Sequence, residues 1–83
     1  MTNEIKPKMD IKEHIALVKT YIAVTERAIR NLTIARTKYH NERRFNYVDT
    51  ATEHIERREA NLTEAKDTLR ELLRTERETV RFT

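Results

Sequence analysis

The stretch from Ile11 to Val24, IKEHIALVKTYIAV, decides the fold of this chain. Four apolar residues in it recur at spacings of four, three and four, which is the pattern of one helical stripe that packs against a neighbour. They are Ile11, Ile15, Val18 and Ile22. A second apolar set points away from that stripe: Ala16, Leu17, Ala23 and Val24. A helix that is apolar around most of its circumference needs cover on more than one side, so this segment predicts a second contact surface.

The composition is that of a small all-α protein. The chain has 83 residues with no Gly and one Pro, the two residue types that usually mark turns, which favours long uninterrupted helices. Charged and hydrophobic residues each make up 37%, which is typical of a solvated helical bundle or coiled coil. With no Cys for a disulfide or a thiolate metal site, oligomerisation is the remaining common means of stabilising so short a chain.

A second apolar seam, with Ile55, Leu62, Leu69 and Leu72, recurs at helical spacing in the second half of the chain. The two seams predict a single domain, residues 1–83, folded as an antiparallel two-helix hairpin of the coiled-coil type. We expect a tail over 1–9, helix one over 10–40, a turn over 41–47, helix two over 48–79 and a tail over 80–83. Folding about residue 45 pairs positions whose numbers add to about 90, so that Leu62 meets Ala28 and Ile55 meets Ala35. Large side chains then meet small ones, which close packing favours.

The helix ends have partial signals. Asp10 followed by Glu13 matches a capping box and predicts the start of helix one. The turn contains no Gly, so Asn41 or Asn46 is the expected left-handed residue. Three caps remain open for helix two, and the pattern does not choose among them. They are Asn46, Asp49, and Thr50 with Glu53 as a capping box.

The sequence offers little for catalysis or for a cofactor. It has neither Cys nor Ser as a nucleophile and no Gly for a phosphate-binding loop. His14, His40 and His54 do not have the three- or four-residue spacing of a helical metal site. We therefore predict a protein that is not an enzyme and has no catalytic residue, metal, cofactor or small-molecule ligand.

The lengths of the apolar segments indicate where the protein is located. Residues 1–10 contain no long apolar run, and no stretch approaches the roughly 20 apolar residues of a membrane span. We expect a cytoplasmic protein without a membrane partner.

Basic and aromatic residues gather around the predicted turn, where they suggest contact with nucleic acid or with another partner. They are Lys38, Arg43, Arg44, Arg57, Arg58 and Tyr47. In the alternative interpretation the aromatic rings close the end of the bundle and the arginines solvate it. Four acids, Glu42, Asp49, Glu53 and Glu56, dilute the positive charge.

The surplus of apolar residues is the strongest functional signal. A hairpin needs one apolar seam per helix, and further apolar side chains predict an interface for a second copy or for another protein. We predict that this interface comprises Ala16, Leu17, Tyr21, Ala23, Val24, Leu73, Val80 and Phe82. A homodimer that forms a four-helix bundle is the expected state, and a protein partner is favoured over nucleic acid.

These features resemble two kinds of protein. The predicted architecture resembles that of plasmid copy-number regulators, which pair two helical hairpins into a four-helix bundle and bind RNA. The likeness is architectural and includes no shared motif. Small, charged, glycine-free helical chains also resemble the accessory proteins of phages and mobile elements, which bind a host complex. We expect a non-enzymatic protein-binding module, such as an accessory protein that modulates a host complex. A nucleic-acid-binding regulator and a structural scaffold subunit are the alternatives.

Overall fold

The chain folds as a helical hairpin. In the computed structural model, which describes residues 10–81 and side chains over 10–79, α1 spans Ile11–Asn41 and α2 spans Phe45–Arg81. The two helices pack against each other along their length, and residues 10–81 contain no strand. The predicted all-α hairpin is therefore confirmed.

The start of α1 agrees with the predicted capping box. The Glu13 carboxylate accepts a hydrogen bond from the backbone N–H of Asp10 at 3.1 Å, and the carbonyl of Asp10 accepts from the N–H of His14 at 2.9 Å. A carboxylate in the first turn also interacts favourably with the helix dipole. These contacts fix the start of α1 immediately after Asp10.

The turn is shorter than predicted and uses a different left-handed residue. Arg43, and neither Asn41 nor Asn46, takes a positive φ of 61°. The N–H of Arg43 donates to the carbonyl of His40 at 3.0 Å, and the N–H of Arg44 donates to the carbonyl of Tyr39 at 2.8 Å. These two bonds form a Schellman motif, which ends α1 with backbone groups and requires no particular side chain.

All three predicted caps of α2 are wrong, because the helix begins at Phe45 instead of residue 48. The carbonyl of Arg44 accepts from the N–H groups of Tyr47 and Val48, each at 3.1 Å. Asn46, Asp49 and Thr50 therefore lie inside the helix, where the Thr50 hydroxyl donates to the carbonyl of Asn46 at 3.0 Å. The compact Schellman turn needs only residues 42–44, so the helix resumes earlier than the side-chain pattern suggested.

Contacts between the helices agree with the predicted register. Glu26 pairs with Lys66 at 3.6 Å, and Arg36 donates to the Thr52 hydroxyl at 3.4 Å, so that paired positions add to 92 and 88. The interior is small, however. Among the described side chains, the buried ones are Ile15, Thr25, Ala51 and Ile55. The remaining seam residues, such as Val18, Leu62 and Leu69, are only partly covered.

Candidate functional site

The two helices lie side by side, so the hairpin has two broad faces. The cross-helix contacts Glu26–Lys66 and Arg36–Thr52 mark one of them, which we call the polar face. On the opposite face, side chains from both helices line an open groove. We call this opposite side the apolar face.

Large hydrophobic side chains of α1 are exposed on the apolar face. Leu17 is 54% exposed, Tyr21 47% and Val24 60%. Their spacings of four and three repeat those of a packing seam, and the same spacing continues through smaller residues. We call this row the outer stripe; it consists of Leu17, Tyr21, Val24, Ala28, Asn31 and Ala35. Leu17, Tyr21, Val24 and Asn31 of this row are exposed, whereas Ala28 and Ala35 are partly covered by α2.

The groove beside the outer stripe has a volume of about 510 Å³. From α1, Leu17 and Tyr21 contribute its large side chains, while Ala65 and Thr68 of α2 supply small ones. The complete lining is His14, Leu17, Val18, Tyr21, Asn61, Glu64, Ala65 and Thr68. A wall of large residues beside a floor of small ones suits the side-chain ridge of a packing helix.

The remaining predicted interface residues do not all join this surface. Ala16 lines a shallow depression with Leu17 and Thr20, on the outer side of α1. Ala23, seven residues after Ala16, is exposed on that same outer side. Leu73 is seven residues after Lys66, which places it on the polar face. The side chains of Val80 and Phe82 lie outside the described residues.

Ile34 is an exposed apolar residue that lies outside the predicted interface. Ile34 is 68% exposed, more than Leu17, Tyr21 or Val24. It lies ten residues after Val24, which puts it at the outer edge of α1, away from the groove. The signal in the sequence was an isoleucine outside the seam, but the predicted interface took its residues of helix one only from the segment between 11 and 24.

Aromatic rings pack against one another at the turn. The ring centroids of Tyr39 and Tyr47 are 5.2 Å apart, and those of His40 and Phe45 are 5.8 Å apart with an edge-on geometry. The Arg44 guanidinium lies over the Tyr47 ring at 5.9 Å, within the range of a cation–π contact. These pairs close the end of the hairpin, while the outer parts of Phe45 and Tyr47 remain half-exposed.

The predicted basic cluster is more dispersed than its members suggest. Arg57 and Arg58 are twelve and thirteen residues beyond Phe45, so the helical rise places them roughly 18 Å from the turn. Lys38 is exposed one turn before the end of α1. Only Arg43 and Arg44 lie in the turn itself, and Arg44 Nε is 3.4 Å from the Glu42 carboxylate. The structure therefore does not bring the six predicted residues into one patch.

The described residues offer few other sites. They contain no group of three His, Cys, Asp or Glu side chains arranged to hold a metal ion. Within the same residues, neither helix has an apolar stretch sufficient to cross a membrane. No family model, curated protein or solved structure matches the chain.

Proposed function

We propose that this chain is a non-enzymatic protein-binding module that holds a helix of a protein partner on its apolar face. The outer stripe is the observation that supports this proposal. Leu17, Tyr21 and Val24 follow the spacing of a packing seam, yet about half or more of each side chain is exposed to solvent. Contiguous exposed apolar surface is typical of interaction sites.

The shape of the face favours a helical partner. A helix that docks in a groove uses anchors at three- and four-residue spacings, and the outer stripe presents that same spacing in return. The adjoining groove accepts a ridge of side chains between the two helices of the hairpin. A partner that supplies two helices completes a four-helix bundle with this hairpin. If the partner belongs to a larger complex, binding of the hairpin to its helix modulates that complex.

Affinity capture from the native host tests the proposal. The bait is the tagged full chain, the extract is treated with nuclease, and any captured protein counts, including untagged copies of the chain itself. We expect the double variant Leu17→Glu/Val24→Glu to lose capture, because a carboxylate buried without a counter-charge is strongly unfavourable in an interface. Circular dichroism of each bait verifies that the hairpin is folded.

Ile34→Glu is the matched control. Ile34 is exposed on the same helix but lies outside the outer stripe, so this variant places one carboxylate on an exposed apolar position of α1 without touching the apolar face. We expect it to capture like the wild type. Equal loss in both variants, or retention in both, contradicts the proposal.

Contact with nucleic acid at the turn is the second candidate. The stacking of Arg44 on the half-exposed Tyr47 favours it, since arginine and aromatic planes are the groups on which single-stranded bases stack. The Glu42–Arg44 contact and the distance of Arg57 from the turn weigh against it. Arg43→Gln/Arg44→Gln should therefore leave capture intact. Loss of capture by this variant from an extract without nuclease, together with binding that falls steeply with salt, would favour nucleic-acid binding.

A scaffold subunit is the third candidate. It uses the same apolar face but forms assemblies larger than a pair of hairpins. The size of the captured complex, measured by light scattering, separates it from a binding module.

A further inference from the structure

We infer that the helix pair that covers the apolar face is a second copy of this chain, with the turn of each hairpin beside the open end of the other. This inference rests on the proposed function and names the partner of that same face. Three features carry it: the symmetry of the outer stripe, the order of charges on α2, and the small interior of the single hairpin.

The outer stripe is symmetric about residue 26. Leu17 and Ala35 lie nine residues on either side of that position, Tyr21 and Asn31 lie five, and Val24 and Ala28 lie two. When two α1 helices cross in opposite directions with a two-fold axis at this level, Leu17 meets Ala35 of the second copy and Val24 meets Ala28 of the second copy. Leu17 and Val24 then pack on alanine side chains, which is the complementarity that a self-associating face requires, and Tyr21 lies opposite Asn31.

Charges on α2 fit the same arrangement. Arg57, Glu64, Glu71 and Glu78 recur every seven residues, so they form one row, and Glu64 lies in the wall of the groove. This row is basic toward the turn and acidic toward the open end. The Glu26–Lys66 contact places residue 64 close to the level of residue 26. With opposed ends, Arg57 therefore faces Glu71 of the second copy, where it shares that carboxylate with Arg74, 2.6 Å from Glu71 within each chain.

The other two-fold arrangement, with both turns at one end, is disfavoured by the same residues. It stacks α1 of one hairpin on α2 of the other and brings Leu17 and Val24 against the acidic row that contains Glu64 and Glu71. Carboxylates facing leucine and valine lose hydration and gain no partner. With opposed ends, Leu17 and Val24 face alanines and Arg57 faces Glu71.

The small interior explains why a second copy is needed. Among the described residues only Ile15, Thr25, Ala51 and Ile55 are buried, and the chain has no Cys to cross-link it. A domain of this size commonly relies on oligomerisation when disulfides and metals are absent. Pairing of the apolar faces doubles the number of helices that share one core.

Sedimentation equilibrium of the purified full chain tests the self-association. We expect a dimer at tens of micromolar, a dimer Kd raised at least about 100-fold by Val24→Glu, and a change of less than about threefold for Ile34→Glu. Val24 lies next to the proposed axis, whereas Ile34 lies at the outer edge of α1. A chain that stays monomeric at hundreds of micromolar overturns the inference.

A spin-label distance tests the orientation. Since the chain has no Cys, Asn41→Cys gives a single labelling site at the end of α1. Residue 41 lies fifteen positions from the proposed axis, so opposed ends place the two labels roughly 45 Å apart, whereas turns at one end bring them below about 25 Å. The short distance overturns the orientation even if the dimer forms.

Failure of this inference is distinguishable from failure of the proposed function. If the chain is monomeric but captures a different protein through Leu17 and Val24, the self-association is wrong and the proposed protein-binding function stands. If the chain is monomeric and no capture depends on these residues, both proposals are wrong. We expect a dimer with the long distance between the labels. Val24→Glu should dissociate this dimer, and Ile34→Glu should not.

Discussion

Arg43 holds the only left-handed backbone among residues 10–81, and it does so with a long charged side chain. For a residue with a Cβ this conformation costs about 1 kcal/mol or more. Two Schellman hydrogen bonds and the Arg44–Tyr47 contact hold the turn in place against that cost. Local preference alone favours Asn41 or Asn46, so the choice of Arg43 depends on where the two helices stop packing and was not readable from residue types.

Replacing Arg43 with Gly should stabilise the protein. We expect Arg43→Gly to raise the free energy of unfolding by about 0.5 to 1 kcal/mol, since Gly enters the left-handed region without a steric penalty. Arg44→Gly is the control; it adds the entropic cost of Gly and removes the contact with Tyr47, so it should lower stability. Urea denaturation followed by circular dichroism at one fixed protein concentration measures both. A loss of stability in Arg43→Gly would show that the side chain matters more than the backbone strain.

The helix α1 carries two seams with different roles. The inner seam, with Ile15, packs against α2 and holds the hairpin together, whereas Leu17, Tyr21 and Val24 of the outer stripe are exposed. Periodicity predicted the inner seam and the hairpin, because burial of one stripe is the main stabilising interaction of a two-helix fold. It also identified Leu17, Tyr21 and Val24. It grouped Arg57 with the turn wrongly, because proximity in sequence was not converted into distance along the helix.

Truncation of a buried residue should distinguish the inner seam from exposed apolar positions. Ile55 is buried where α2 meets α1, so Ile55→Ala should lower the free energy of unfolding by about 2 to 4 kcal/mol. Ile34→Ala removes the same atoms from an exposed position and should change stability by less than about 0.5 kcal/mol. Urea denaturation of both variants provides the comparison. Similar losses would mean that Ile34 is covered by a partner and that the outer edge of α1 also belongs to an interface.

At the scale of the whole molecule, stability and association are linked. If the hairpin completes its core with a second copy, the melting temperature rises with protein concentration, because dilution favours the dissociated and less stable chain. We expect this rise for the wild type and for Ile34→Glu, and its absence for Val24→Glu. Calorimetric scans over a hundredfold range of concentration measure it. A wild-type melting temperature that does not depend on concentration would contradict a stabilising dimer.

Glu64 gives the most specific prediction for the assembled dimer. It lines the groove, and the Glu26–Lys66 contact puts it close to the level of residue 26, so a two-fold axis at that level brings it near Glu64 of the second copy. Two exposed like charges repel weakly, and Glu64→Gln should therefore tighten the dimer by roughly threefold at low salt. The gain should shrink as salt rises, since screening already weakens the repulsion in the wild type.

Glu59→Gln is the matched control, because Glu59 lies seven residues before Lys66, on the polar face, and its loss should leave the dimer unchanged. Sedimentation equilibrium at two salt concentrations measures all three chains. If Glu64→Gln associates more weakly than the wild type, Glu64 lies beside a basic residue in the dimer, and the two-fold axis is not at the level of residue 26.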